Sequence, residues 1–279
     1  MSRARLVGLT LIALLAFAGN SLLCRAAFTQ TTIDPASFTA LRLLSGAITL
    51  ALLVAFRARD RVGAGNWTSA LALFAYAAGF SFAYVHLSAG VGALILFGSV
   101  QTTMIAYGLQ RGERMGRTQV AGLVLACGGL VGLLLPGLSA PPLWGAALMV
   151  AAGMAWGVYS LRGRGTGDPL RVTAGNFVRA AVLGLILSGV SWAQASWSTT
   201  GAMYAVLSGA IASGLGYAIW YAALPALRST TAATVQLSVP LIAAVGGLLL
   251  LGEAPSLRLL LASVAILGGI AMVVLKRKA

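Results

Sequence analysis

Long apolar runs separated by short charged segments dominate the chain and set its predicted architecture. The first run, Leu6 to Cys24, has about the length that a helix needs to cross the hydrocarbon core of a bilayer. The runs at 62–110 and 118–161 are long enough for two crossings each. Outer-membrane strands would instead alternate apolar and polar residues over segments of about ten residues. The pattern therefore predicts an all-α integral membrane protein with ten transmembrane helices. Ala16–Ala18 also resembles a signal-peptide cleavage site, an alternative that would remove the first helix.

Composition agrees with a membrane protein and excludes several other classes. Of the 279 residues, 59% are hydrophobic and 9% are charged, whereas a soluble domain carries about a quarter charged residues. Intrinsic disorder would require low hydrophobicity. Cys24 and Cys127 lie inside apolar runs, far along the chain from the one histidine, His86. We therefore expect no disulfide framework, no metal site and no cofactor.

The net charge of +14 is an orientation signal. Fifteen of the 19 Lys and Arg residues fall in the terminal segments and in alternate loops, while the other loops hold only Arg25 and Arg258. Positively charged loops stay in the cytoplasm, so both termini are predicted to be cytoplasmic. No basic face with interleaved aromatic residues stands outside the spans. We therefore expect membrane lipid, and no nucleic acid, as the partner of these charges.

The two halves of the chain repeat one another. Gly112-Glu113 ends the fourth span and matches Gly252-Glu253, which ends the ninth, at an offset of 140 residues. We predict a first repeat at 1–137 and a second at 138–279, with five helices each. Because five is odd, the second repeat enters the membrane from the opposite side. Such inverted repeats are typical of secondary transporters, whose substrate site lies between the repeats near the bilayer midplane.

Several motifs resemble those of a known family. They are the run Leu248–Glu253 with Pro240 before it, the segment Tyr217–Leu224, and Asp34-Pro35 followed by Arg42. Together they look like the EamA-type repeat of the drug/metabolite transporter superfamily, and the resemblance covers nearly the whole chain. Within that superfamily the chain resembles most the bacterial aromatic amino-acid exporters of the YddG type.

This resemblance implies ten helices around a central cavity and a function as an exporter rather than an enzyme. It implies export of amino acids, chiefly aromatic ones and similar amphipathic metabolites, across the bacterial cytoplasmic (inner) membrane by alternating access. The partners would be a small-molecule substrate and lipid, and the protein a monomer or weak homodimer. Export of other metabolites or drugs on the same fold is the alternative. Val100 stands where the second repeat has Pro240, so we expect the halves not to move equivalently.

Aromatic and polar residues recur at matching places in both halves. Phe17 and Asn20 on the first helix match Trp156 and Tyr159 on the sixth at an offset of 139 residues. Paired faces of this kind suit a cavity for a flat, amphipathic solute, although aromatic residues inside spans also commonly pack or face lipid. The predicted substrate-binding residues are Phe17, Asn20, Tyr76, Phe80, Tyr84, Ser99, Gln101, Trp156, Tyr159, Ser213, Tyr217, Trp220 and Gln236.

Arg42, Arg179 and His86 are candidates for gating or charge roles, because polar groups are costly inside a membrane and histidine titrates near neutrality. Alternatively, the arginines reach an interface or a helix-end carbonyl, and His86 is a solvated turn residue. No Asp or Glu lies mid-span. Glu113 and Glu253 lie at turns, where each is expected to stabilise the N-terminus of the next helix. Facilitated diffusion or exchange is therefore expected, rather than carboxylate-driven proton coupling.

Two further classes remain open as alternatives. An intramembrane hydrolase would need Ser213 as nucleophile and His86 as its base. Since His86 is expected at a span end and Ser213 deeper, this alternative is disfavoured and no catalytic residue is predicted. A channel is the other alternative, and it would give a linear rather than a saturable flux.

Overall fold

The computed structural model describes residues 2–58, 64–112, 114–137, 140–163, 168–227 and 229–275. Over these ranges the chain is helical and contains no strand. Glu113, one of the two acids predicted to stabilise a helix N-terminus, lies outside the described residues. The α-helices are α1 (Arg3–Gln30), α2 (Pro35–Ala58), α3 (Trp67–Tyr84), α4 (Ala89–Gln110), α5 (Arg117–Leu134), α6 (Leu143–Arg162), α7 (Pro169–Val190), α8 (Thr199–Val206), α9 (Gly216–Ala223), α10 (Ser229–Gln236), α11 (Ser238–Leu251) and α12 (Leu257–Leu275).

These helices make ten crossings, as the apolar pattern predicts. Helices α1 to α7 are one crossing each. The eighth crossing, Thr199–Ala226, joins α8, the π-helical segment Leu207–Leu215 and α9. Helices α10 and α11 form the ninth crossing, and α12 forms the tenth. Within the described ranges, nine of these segments are long and apolar enough to cross a membrane. The tenth is α3, an 18-residue helix that is not among these nine segments.

Helices α2 and α7 begin in the same way, at matching places in the two halves. Asp34 Oδ1 accepts hydrogen bonds from the backbone nitrogens of Ala36 and Ser37, at 3.0 and 2.8 Å. Asp168 Oδ1 likewise accepts one from the backbone nitrogen of Leu170 at 3.0 Å. A proline follows each aspartate, at a position where the helix needs no N–H donor. Each Asp-Pro pair therefore begins a helix.

The two halves pack on each other through matched pairs of helices. Helix α2 lies against α7, and α5 lies against α12. In these two pairs, a helix of the first repeat contacts the equivalent helix of the second. Helices α3 and α4 pack on α6, and in the same way the eighth crossing and α11 pack on α1. Large apolar side chains such as Val124, Leu249 and Val264 cover the outside, as a lipid-facing surface requires. The fold is therefore two inverted five-helix repeats around a central cavity.

Glycines allow the closest helix approaches. A Cβ atom added to Gly122 of α5 would lie 2.5 Å from the carbonyl oxygen of Gly269 in α12. A Cβ atom added to Gly209, in the π-helical segment, would overlap the carbonyl oxygen of Arg42 and Ser45 Oγ on α2. Small residues let backbones approach in this way where lipid supplies no hydrophobic driving force. The π-helical segment is therefore packed directly against α2 at Arg42.

Two local features differ from the sequence interpretation. Helix α1 continues six residues beyond Cys24, to Gln30, so Arg25 lies inside a helix and not in a loop. The ninth crossing is broken at Leu237. Pro240 has no N–H to donate to the carbonyl of Gln236, and the Leu237 nitrogen donates to the Thr234 carbonyl at 3.1 Å. The corresponding helix of the first half, α4, is continuous.

Candidate functional site

A cavity of about 1150 Å³ lies between the two halves. Its mouth is formed by the start of α3, the end of α4 and the end of α6, where Asn66, Arg111 and Arg162 line it. These helix ends lie on the face that the charge pattern predicts to be cytoplasmic. Asn20 and Phe80 lie deeper, toward the closed end. The cavity is therefore open at one membrane face.

Most of the predicted substrate-binding residues lie on this cavity wall. Tyr84 and Ser99 do not. The hydroxyl of Tyr84 donates to the carbonyl of Ala89 at 3.3 Å, inside the protein. Ser99 packs against Gly153 of α6, where an added Cβ would lie 2.5 Å from the Ser99 Cβ. The eleven that line the cavity are Phe17, Asn20, Tyr76, Phe80, Gln101, Trp156, Tyr159, Ser213, Tyr217, Trp220 and Gln236.

Aromatic rings form one continuous part of the wall. The rings of Trp156 and Tyr217 stack with centroids 5.3 Å apart and planes 17° apart. The ring centre of Tyr76 lies 4.7 Å from that of Trp156. Phe17 extends the cluster, 5.8 Å from Tyr217 and 5.9 Å from Trp220. Rings at these distances and tilts attract one another. The cluster joins α1, α3, α6 and α9, and so draws on both halves.

A chain of hydrogen bonds lies behind and beside these rings. Arg42 Nη2 donates to the hydroxyl oxygen of Tyr76 at 3.0 Å, and Asn20 Nδ2 donates to the same oxygen at 3.2 Å. Ser208 Oγ, in the π-helical segment, donates to Asn20 Oδ1 at 2.6 Å. All four residues are buried. The network ties α1, α2 and α3 of the first half to the eighth crossing of the second.

Arg42 is held among aromatic faces. Its side chain is 2% exposed, and its guanidinium carbon lies 4.6 Å from the ring centre of Phe80 and 5.3 Å from that of Tyr76. The electron-rich ring faces offset part of the cost of removing this cation from water. Among the described residues, no carboxylate forms an ion pair with Arg42. Its other terminal nitrogen, Nη1, has no hydrogen-bond partner.

The other two charge candidates lie away from the cavity. Arg179 Nη1 donates to the carbonyls of Ala64 and Gly175, at 3.2 and 2.8 Å, and so holds the segment before α3. His86 is exposed in the turn after α3, at the opposite membrane face from the mouth. Ser213 lines the cavity, so the structure does not bring these two residues of the hydrolase alternative together.

The closed end is held by an ion pair between the two halves. Arg25 Nε donates to Glu253 Oε1 at 2.8 Å, and Arg25 Nη1 donates to the carbonyl of Tyr84 at 3.0 Å. Glu253 Oε2 accepts from the backbone nitrogen of Ala89 at 2.8 Å. Glu253 therefore stabilises the N-terminus of α4, and not of the next helix α12 as predicted, because α4 rather than α12 lies within its reach. The Arg25–Glu253 pair fastens α1 and α11 to the α3–α4 turn.

Sequence reasoning missed two residues of the site. Ser208 was not singled out because serines in helices commonly bond the preceding turn. Asn176 lines the cavity and accepts a hydrogen bond from the backbone nitrogen of Asn66 at 2.9 Å. The available signal was that Asn176 is an amide inside an apolar span, as Asn20 is.

Comparison with known proteins identifies the family. The profile of the EamA-like transporter family matches residues 5–135 and again residues 143–275. The chain belongs to the EamA-like transporter family. Its two matches fall on the two halves that pack around the cavity. This EamA-like protein is accordingly a multi-pass membrane transporter, and its fold is the one that the resemblance implies.

Individual relatives agree with this assignment. An uncharacterised protein of Pseudomonas aeruginosa is 56% identical over 278 residues, which are 99% of this chain and 97% of that protein. The threonine/homoserine exporter RhtA of Salmonella typhimurium is 36% identical over 118 residues, 40% of this chain and 38% of RhtA. A solved crystal structure superposes over 100% of both chains with a TM-score of 0.69 at 20% identity, which supports the fold alone.

Proposed function

We propose that this EamA-like transporter exports amino acids, chiefly aromatic ones and similar amphipathic metabolites, from the cytoplasm across the bacterial inner membrane. The observation that carries the proposal is the cluster of aromatic rings, flanked by amides and hydroxyls, inside a cavity open at one membrane face. A pocket of mostly apolar and aromatic surface with a few placed polar groups suits a flat solute with a polar end. Both termini are placed in the cytoplasm in this proposal.

The eleven wall residues supply the two kinds of contact that an amino acid needs. The aromatic ring of the substrate packs against the rings of Phe17, Trp156 and Tyr217. The ammonium and carboxylate of the substrate meet polar side chains of the wall, among them Asn20, Gln101 and Gln236. Tyr84 and Ser99 are left out of the proposed site because they do not reach the cavity wall.

Transport proceeds by alternating access in this proposal. The two halves, 1–137 and 138–279, move against each other, so that the mouth closes and the opposite end opens. Opening that end requires Arg25 and Glu253 to leave the α3–α4 turn. Because the described cavity wall carries no Asp or Glu, we infer facilitated diffusion or exchange rather than proton coupling through a carboxylate. We infer a monomer or weak homodimer, since each chain contains a complete cavity.

A second candidate substrate class is favoured by one comparison. RhtA is named a threonine/homoserine exporter, and it matches 40% of this chain. Small hydroxyl amino acids would meet the same amides and hydroxyls but would leave the aromatic faces without a partner ring. Competition between phenylalanine and threonine for transport distinguishes the two classes.

The proposal is tested with purified protein in liposomes loaded with phenylalanine. We expect saturable counterflow of labelled phenylalanine, and a channel would give linear flux instead. Trp156→Ala removes the centre of the aromatic cluster and should reduce this counterflow at least about tenfold, because a buried aromatic contact is worth a few kcal/mol. Trp192→Ala is the matched control, since Trp192 is 79% exposed outside the cavity. Unchanged counterflow in Trp156→Ala would contradict the proposed site.

A further inference from the structure

We propose that the deep end of the cavity binds a carboxylate, to which the Tyr76 hydroxyl donates a hydrogen bond while the buried Arg42 supplies the opposite charge from behind. Tyr76 is the binding residue, and Arg42 is a positioning residue that acts through it. For an amino acid as ligand the inference rests on the proposed function, but the chemistry applies to any aromatic carboxylate.

Hydrogen-bond accounting at Tyr76 points to a ligand. A phenol oxygen has two acceptor positions and one proton to donate. Arg42 Nη2 and Asn20 Nδ2 occupy both acceptor positions, at 3.0 and 3.2 Å. Because both neighbours are donors, neither can take the proton of Tyr76. No acceptor for that proton occurs among the described contacts, and the side chain lines the cavity. The hydroxyl is therefore set to donate to an acceptor in the cavity.

A hydrogen bond from Ser208 fixes the orientation of the Asn20 side-chain amide. Ser208 Oγ donates to Asn20 Oδ1 at 2.6 Å, which turns the amide nitrogen of Asn20 toward Tyr76. Asn20 is 6% exposed and Ser208 is fully buried, so this bond is shielded from most of the solvent. Ser208 of the second half thus orients the Asn20 amide of the first half, which donates to Tyr76.

Arg42 makes an anion the preferred acceptor. The residue is 2% exposed, and its guanidinium has no acidic partner among the described residues. An uncompensated charge inside a membrane is costly, and such residues mark ligand or ion sites. A carboxylate near Tyr76 would place a negative charge close to Arg42 in a medium of low dielectric, where their attraction is strong. The hydroxyl of Tyr76, polarised by the guanidinium, becomes a stronger donor.

The remaining charges of the cavity favour the same class of ligand. Arg111, Arg114 and Arg162 line its mouth, and none of the described lining residues is an acid. An anion or a zwitterion is therefore attracted, whereas an amine without a carboxylate has no acidic side chain to pair with among these described lining residues. The ammonium group of a zwitterion can donate to the side-chain oxygens of Gln101 and Gln236, which also line the cavity. The site thus selects aromatic carboxylates over aromatic amines of the same size.

A matched pair of ligands tests this inference on the purified, full-length protein in lipid nanodiscs. The two probes are 3-phenylpropionate and phenethylamine, which carry the same ring on the same tether with opposite charges. Calorimetric titration should show at least about tenfold tighter binding of 3-phenylpropionate, since a hydrogen bond to a charged group commonly contributes that much. Equal affinity for the two probes would overturn the proposal.

Tyr76→Phe removes the proton and keeps the ring. We expect it to weaken binding of 3-phenylpropionate about tenfold and to leave phenethylamine unchanged. Tyr204→Phe is the matched control, because the hydroxyl of Tyr204 donates to Gln30 Oε1, outside the cavity. A loss of equal size for both probes, or for neither, would contradict the role of the hydroxyl.

Arg42→Gln and Arg42→Lys separate charge from packing. The glutamine variant should lose the preference for 3-phenylpropionate, and the lysine variant should keep most of it. If the role of Arg42 is purely structural, Arg42→Gln would lower the thermal stability and leave the ratio of the dissociation constants for 3-phenylpropionate and phenethylamine unchanged. If Arg42→Gln does not fold, Tyr76→Phe decides the matter alone.

The outcomes also separate this inference from the proposed function. Carboxylate binding that depends on Tyr76, without counterflow of any amino acid, would contradict the proposed function and leave the carboxylate site standing. Phenylalanine counterflow that Tyr76→Phe does not affect would leave the function standing and overturn the site.

Discussion

Arg25 of the first half and Glu253 of the second form an ion pair, with 2.8 Å between Nε and Oε1, at the end of the cavity that is closed. Both side chains also bond the turn between α3 and α4, through the Tyr84 carbonyl and the Ala89 nitrogen. They are less than a fifth exposed, so solvent screens the pair only partly. One interaction therefore connects α1, the end of α11 and the α3–α4 turn, which have to separate if this end opens as proposed.

Glu253→Gln should shift the protein toward the state in which this end is open. The substitution removes one charge and weakens the bonds to Arg25 and to α4, by about 1 kcal/mol or about fivefold in population. Cys24, next to Arg25 and fully buried, reports the change. In a Cys127→Ser background, a membrane-impermeant thiol reagent applied at this face should label Cys24 several times faster in the variant.

Asp168→Asn provides the control, because it weakens a carboxylate cap at the start of α7, away from the closed end. It should leave the labelling rate of Cys24 unchanged. If Cys24 is labelled equally fast in the original protein and in Glu253→Gln, the ion pair does not hold this end closed.

The apolar pattern was sufficient to predict the ten crossings, because a span must be long and continuously apolar whatever its neighbours are. The pattern could not show which side chains on one face of a helix reach the cavity. Tyr76, Phe80 and Tyr84 share a face of α3, yet the cavity ends between Phe80 and Tyr84. The depth at which a cavity ends depends on how other helices pack, and a helical period contains no information on that.

Contacts between distant parts of the chain were likewise beyond the sequence. Ser208 and Asn20 are 188 residues apart, and Arg25 and Glu253 are 228 apart. The repeat did indicate that Gly252-Glu253 is a turn at the end of the ninth span. It did not indicate which helix the carboxylate reaches, because each turn faces several helix ends in the folded protein.

Gly209→Ala should destabilise the protein. An added Cβ would overlap the carbonyl oxygen of Arg42 and Ser45 Oγ, so α2 and the π-helical segment would have to separate. Overpacking of this kind costs about 1–3 kcal/mol. Thermal unfolding in detergent should therefore begin at a clearly lower temperature. Gly8→Ala is the control, since the Cβ it would add has nothing within 4 Å apart from the adjoining backbone of its own helix. Equal unfolding temperatures for the two variants would mean that the close packing against α2 is not needed.

Arg179→Gln should affect stability and not substrate affinity. Its guanidinium bonds the carbonyls of Ala64 and Gly175 and does not line the cavity. Losing these bonds should cost about 1–3 kcal/mol, seen as faster proteolysis in the segment before α3. The concentration of phenylalanine that gives half-maximal counterflow should stay within about twofold of the original protein. A large change in that concentration would indicate that Arg179 also acts on the substrate.

Pro240→Ala should slow transport while it stabilises the ninth crossing. The new residue has an N–H group, which can bond the Gln236 carbonyl and join α10 to α11 in one helix, as α4 is in the first half. Removing the break should raise the unfolding temperature and lower the counterflow rate several-fold, because a continuous helix has no gap in its hydrogen bonds at which it could flex during transport. Pro225→Ala, in the short helical turn Leu224–Ala226, is the control. Higher stability with an unchanged counterflow rate would show that the break at Leu237 is not used in transport.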